Sequence, residues 1–153
     1  MRIEERNKQL IRSLLESTDR GDFDLIKKHY HNDFIEHNPS SALHAYDGRK
    51  GVETAFHMFQ RIFPKRKHII DDIIAEGDKV AARITFIATP AENFSSMLSQ
   101  KNEYRITSTA IYRVKEFQII EKWTQISVLK ELGISLDDIK RFDNVTNQTD
   151  DVR

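Results

Sequence analysis

The stretch HIIDDIIAEGDKVAARITFIAT, residues 68–89, carries two β-type runs on either side of a Gly77-Asp78 pair. Such runs flanking a tight-turn dipeptide predict two strands joined as a hairpin. If Glu76 pairs with Lys79, Arg83 lies opposite Asp72. A cross-strand ion pair then explains Arg83, with a role holding a ligand carbonyl or carboxylate as the alternative. Asp71 and Asp72 should point to opposite faces and form no carboxylate dyad. A second hairpin is read from EYRITSTAIYRV (103–114) and QIIEKWTQISV (118–128), turning at Glu116-Phe117. That turn lacks the Gly or Asn such turns favour. Between the hairpins, PAENFSSMLSQKN (90–102) is a polar connection whose Phe94, Met97 and Leu98 suit a lid or a loop folded on the sheet edge.

Upstream the period is helical. Ile3, Leu10, Ile11, Leu14 and Leu15 predict an amphipathic helix over residues 3–18. Asp22 is placed to N-cap a second, short helix through Phe23, Ile26 and Tyr30. HNDFIEHNPS (31–40) reads as a loop, because Asn38 precedes Pro39 and is pushed out of helical geometry. Val52, Phe56, Phe59 and Phe63 line one stripe of a third helix from Gly48, ended by Pro64, and the phenylalanines read as core, with one of them flooring a pocket as the alternative. A capping box at Ser135 opens a last helical piece with Ile139 and Phe142, and residues 144–153 read as a frayed polar tail. Helices followed by antiparallel hairpins give a single α+β domain over residues 1–143, its helices packed on one face of a curved antiparallel sheet.

A chain of 153 residues with 39% hydrophobic and 31% charged residues has an ordinary globular balance. Its 24 basic and 24 acidic residues cancel, leaving no field to attract nucleic acid or an anionic membrane. Without cysteine there is no disulfide framework, thiolate nucleophile or Cys-based zinc site. The charged N-terminus shows no secretory signal, and no apolar run reaches the roughly 20 residues of a membrane span, so the expected location is cytoplasmic. His29 and His31 are two apart at a helix end, where a solvated pair is expected rather than metal ligands. His44, His57 and His68 have no partner identifiable from spacing, and no metal site is expected.

The second hairpin carries the candidate site. With Lys115 opposite Gln118, Tyr112 faces Glu121, Ala110 faces Trp123, Ser108 faces Gln125 and Ile106 faces Ser127. Those residues would share one aromatic and apolar face with interspersed hydroxyl, amide and carboxylate groups. That mixture suits a ligand cavity; a core face with a few satisfied polar groups is the plainer account. The other face would show Thr107, Thr109, Ile111, Lys122 and Thr124. A weakly charged, β-branched surface of that kind predicts self-association, unless the C-terminal segment covers it.

YHNDFIEHNP (30–39), DIIAEGDKVAARITF (72–86), AIYRVKEFQIIEKW (110–123) and LKELG (129–133), in that order, resemble the SnoaL-like polyketide cyclases of the nuclear-transport-factor-two-like superfamily. The resemblance runs from about Leu10 to Gly133. It implies a cone-shaped sheet with helices over its concave face, a deep apolar pocket, and dimers or higher oligomers. It also implies intramolecular aldol condensation without metal or organic cofactor. The family's strand acid, an Asp four residues after the tryptophan, is Ser127 here, and a hydroxyl has no acid-base function near neutral pH unless a partner activates it. Glu121 lies six residues from that position, about 20 Å along a strand, too far to inherit the proton transfer. SSMLSQK (95–101) replaces the family's G-x-x-P-T-G-K lid pattern. His37 matches the histidine of the family's H-x-P segment and is the candidate proton carrier; a loop-fixing bond to a backbone carbonyl is the alternative.

Three classes of function remain. One is a cyclase-like enzyme on an apolar polycarbonyl substrate, using His37 with Tyr112 and Glu121. Another is a small-molecule binding protein without turnover, its pocket lined by Tyr112, Glu121, Trp123, Gln125, Ser127 and Arg83. The third is a protein-interaction module of the same fold. A homodimer is expected in each case, with His37 near the pocket mouth.

Overall fold

The computed structural model describes residues 1–37, 48–95 and 102–126. Helix α1 (Ile3–Arg20) buries Ile11, Leu14 and Leu15 on the stripe expected of it. It stops at Gly21, whose φ of 72° suits glycine and whose N–H caps the carbonyls of Ser17 and Thr18. Asp22 then accepts the Leu25 N–H at 3.1 Å and starts α2 (Phe23–His29), as its position predicts. Helix α3 (Gly48–Ile62) follows, with Val52 buried. Phe56 and Phe59 pack against the core and Phe63 is buried in it.

Four strands form the two expected hairpins: β2 (Lys65–Glu76), β3 (Lys79–Thr89), β4 (Tyr104–Lys115) and β5 (Gln118–Ile126). Between them lies the short helix α4 (Glu92–Ser95). A fifth strand, β1 (Tyr30–His37), occupies the segment read as helix end and loop. It pairs in parallel with β5, so the sheet is mixed rather than wholly antiparallel, with order β1-β5-β4-β3-β2. YHNDFIEH has weak strand character of its own. The open edge of β5 recruits it, a case of tertiary context overriding local preference. Met97, Leu98, His44, Ser127, the helix after Ser135 and the polar tail fall outside the described residues.

The helices cover one face of this curved sheet. Val80, Ala82, Ile84, Ala110, Tyr112, Val114 and Ile119 are buried there against Ile11, Leu14, Ile26 and Val52. Asn7 lies on the buried stripe of α1 and donates to the Gly77 carbonyl at 3.1 Å, pinning the β2–β3 turn. Arg66 donates to the Thr18 and Phe63 carbonyls, so one guanidinium ties the C-terminal ends of α1 and α3. His68 has a partner that spacing did not reveal: its ring lies 2.5 Å from Asp19, which also accepts the His68 N–H at 2.8 Å. No helix among the described residues is long and apolar enough to cross a membrane.

One β-bulge in each hairpin decides which residues face which way. Asp72 pairs with Arg83 as the sequence predicts, but the register shifts before Ile70, leaving Asp71 as the extra residue. Both carboxylates therefore lie on the outer face, against the expectation of opposite faces. Arg83 donates to Asp72 at 2.8 and 2.6 Å, and Thr85 donates to Asp71 at 2.7 Å. In the second hairpin Lys115 pairs with Gln118 as expected and Val114 with Ile119. Arg113 then pairs with Glu121, which leaves Ile120 without a partner on β4.

The turn at Glu116-Phe117 has positive φ at both residues, 50° and 63°, the type I′ pattern. Phe117 is held there by Arg6, whose guanidinium lies 3.7 Å from the ring centroid. Glu116 has no such compensation. A Glu116→Asn change should stabilise the fold by about 0.5–1 kcal/mol, since Asn tolerates the left-handed region. A higher urea midpoint with an unchanged slope is the expected readout. His29, hydrogen-bonded to Ser13 at 3.1 Å, is held below the ordinary pKa of 6.5 by burial. The unfolded chain therefore takes up that proton first as pH falls. Stability from this group is complete above pH 6.5 and declines below it. Melting of the His29→Asn variant should lose part of the acid-side decline between pH 7.5 and 5.5, roughly the window around an ordinary histidine.

Candidate functional site

The Ile120 bulge divides the residues that the sequence grouped together. Beyond it, Tyr112 pairs with Lys122, Ile111 with Trp123, Ala110 with Thr124 and Thr109 with Gln125. A one-residue shift exchanges faces, because side chains alternate with period two. Glu121, Trp123 and Gln125 are therefore on the outer face with Ile111, and Tyr112 is on the inner, helix-covered face. Lys122 and Thr124 move the other way, from the outer face expected of them to the inner one. Arg83 is outside and ion-paired with Asp72, remote from both groups.

On the outer face, His37 pairs with Trp123 across the β1–β5 ladder, and their rings stack at 4.8 Å with planes 9° apart. His37 Nε2 lies 3.1 Å from Glu121 Oε1, and Arg113 forms an ion pair with the other carboxylate oxygen. Glu121 is thus clamped between an imidazole and a guanidinium, with 15% of its side chain exposed. Of the residues named from the sequence, the fold brings together His37, Glu121 and Trp123. Tyr112 is on the far side of the sheet, and Gln125 is exposed.

On the inner face, β1 contributes Glu36 and β5 contributes Lys122 and Thr124, with Tyr112 from β4 and Tyr30 from the start of β1. Lys122 Nζ lies 3.8 Å from Glu36 and 5.7 Å from the Tyr112 ring centroid. Thr124 makes a longer contact to Glu36 at 3.5 Å. Tyr30, Tyr112 and Thr124 are buried, while 24% of the Lys122 side chain and 16% of Glu36 stay open. The ion pair therefore sits at the edge of the buried apolar face rather than sealed inside it.

Burial pushes both phenols above the ordinary tyrosine range, so each stays neutral and able to donate. Burial works against the Lys122 charge. The neighbouring groups, with the Glu36 carboxylate as the anion among them, outweigh it and hold the ammonium above the usual lysine range. The arrangement offers a carboxylate able to accept a proton, a cation able to stabilise a developing oxyanion, and hydroxyls able to orient a carbonyl.

Sequence reading missed Glu36, Lys122, Thr124 and Tyr30. A signal existed in Ile119-Ile120, an apolar doublet that a strictly alternating strand would not carry. No group of three or more metal-ligating side chains occurs among the described residues. A surface cleft of about 200 Å³ beside His68, lined also by Arg12 and Glu16, lies away from both constellations.

The family model for the SnoaL-like polyketide cyclases matches residues 8–132. A search of curated proteins finds no match. Among solved structures, IdmH from Streptomyces antibioticus, described as a candidate polyketide cyclase, superposes with a TM-score of 0.70 at 23% identity. The match covers 83% of this chain and 96% of that one. An epoxide hydrolase of the LEH-like type from M. tuberculosis gives 0.68 at 14% identity, over 90% and 92% of the two chains. TsrD from Streptomyces laurentii gives 0.68 at 18%, over 88% and 100%. At these identities the likeness to each is one of fold.

Trp123 is the single tryptophan of the chain, so its emission reports the outer face alone. Removing the stacked ring in His37→Ala should shift that emission to the red and raise its quenching by acrylamide. Unchanged emission and quenching would mean that the stack does not persist in solution.

Proposed function

Because the chain belongs to the SnoaL-like polyketide cyclase family, we propose that it binds an apolar, carbonyl-bearing small molecule against the helix-covered face of its sheet and closes a ring in it by aldol-type proton transfer. The observation that carries this reading is the Glu36–Lys122 pair, set with Tyr30, Tyr112 and Thr124 at the rim of an otherwise apolar face. A partly buried ion pair adds little to stability over apolar side chains of similar volume, which suits a functional role for it. A phenyl-capped linear triketone tests the reading. Native mass spectrometry should show it retained by the protein, and ring closure should exceed the rate in buffer. Retention without turnover would leave a binding protein of the same fold. No retention of any apolar ketone would overturn the proposal.

A second reading keeps His37 as the proton carrier and is favoured by its 3.1 Å approach to Glu121. There the ligand would lie on the outer face, with Trp123 as its platform. Loss of turnover in His37→Ala with full turnover in Lys122→Met would favour that reading over the first.

The outer face also supports a proposal of self-association. Ile35, Ile69, Ile74 and Ile111 are exposed there, Ile74 to 70% and Ile111 to 40% on the central strand. Stripes of apolar surface of this kind call for cover, and a second copy supplies a matching face. Sedimentation at micromolar concentration should give a dimer that Ile111→Glu dissociates. A monomer at every concentration would refute it.

A further inference from the structure

Resting on the concave-face reading above, we propose that Lys122 is a catalytic residue: its ammonium holds the ligand's carbonyl oxygen as an enolate while Glu36 carries the displaced proton. Three geometric facts lead there. Lys122 and Glu36 are cross-strand partners on β5 and β1, so the carboxylate and ammonium are presented side by side. Lys122 Nζ lies 3.8 Å from Glu36, so a ligand that reaches one charged group meets the other beside it. Of the Lys122 side chain 24% stays exposed, and of Glu36 16%, so neither is sealed within the core. The raised pKa of Lys122 agrees, since the group must be charged before substrate arrives.

The charges balance at each step. Glu36 accepts a proton from the CH₂ between two carbonyls; the C–H electron pair becomes the enolate, and Lys122 exchanges a carboxylate for an enolate partner. One negative and one positive charge stay at the site throughout, so no net charge is buried as the reaction proceeds. The enolate carbon then attacks the distal carbonyl. A C–C bond forms, the C=O π pair moves to oxygen, and that alkoxide takes the proton back from Glu36. The carboxylate–ammonium pair is restored and no co-reactant is consumed. The Thr124 hydroxyl lies 3.5 Å from Glu36, and Lys122 Nζ lies 5.7 Å from the Tyr112 ring centroid. This role differs from that of an amine nucleophile, because a lysine held protonated does not attack a carbonyl.

Benzoylacetone and its monoketone counterpart, butyrophenone, provide the test with the full chain. Bound benzoylacetone should show enolate absorbance at a pH about one unit below the free compound, a roughly tenfold shift toward the anion. Lys122→Met should abolish that shift. Lys122→Arg, which keeps the charge, should retain part of it, and it guards against a merely misfolded methionine variant. Glu36→Gln should stop ring closure of the triketone. An enolate shift that persists in Lys122→Met overturns the role of Lys122 and leaves the pocket standing. So does a wild-type protein that binds butyrophenone but shows no shift. Failure to bind either compound overturns the pocket and the proposal together.

Discussion

Parallel pairing of β1 with β5 is the constraint on which both constellations depend. It sets Glu36 beside Lys122 on one side of the sheet and His37 beside Trp123 on the other. Residues separated by 84 positions in the chain, as His37 and Glu121 are, meet only after α3 and both hairpins have taken their places. A parallel neighbour needs a long crossover, and here the crossover is most of the domain. Both polar groups are thus products of the completed topology rather than of local structure. Their contacts belong to the slow, non-local part of folding, where loop-closure entropy precedes any reward.

The polar contacts elsewhere have a different character. Arg66 satisfies carbonyls at two helix ends, and Asp19 takes both the ring and the backbone N–H of His68. Those bonds join helix ends to β2, and each satisfies a group that folding would otherwise strand. Glu36 and Lys122 satisfy no helix end. They remove two charges from water for a contact that apolar side chains of similar volume would replace at little loss of stability. The two faces of β5 therefore differ in what they cost as well as in what they hold.

Much of this fold is legible in the sequence. The stripe of α1, the Asp22 cap, the Gly77-Asp78 turn and the Asp72–Arg83 pair follow from rules of period and capping that act over a few residues. The family resemblance, carried by the segments around residues 30–39 and 72–86, is matched by the family model over residues 8–132. The site was less legible for a specific reason. A strand written with strict alternation assigns Trp123 and Tyr112 to one face, and a single unpaired residue between them reverses that assignment. Doublets mark the slip in each hairpin, Asp71-Asp72 in β2 and Ile119-Ile120 in β5. Strand β1 was missed because its signal lies in its neighbour, an open edge whose paired residues are 86 to 89 positions away, a span that pattern rules of local sequence do not cover.

Ile120 gives β5 a property that substitution alone would not. Loss of its one codon would join Ile119 directly to Glu121, opposite Val114 and Arg113 as before, and every partner further along the strand would stay where it is. The exchange of faces would follow only if Ile120 itself entered the ladder, turning a histidine-facing carboxylate and an indole toward the helices and an ammonium and a hydroxyl away from them. A lineage could therefore drop the extra isoleucine and keep both faces of the strand, whereas keeping it and pairing it would invert them.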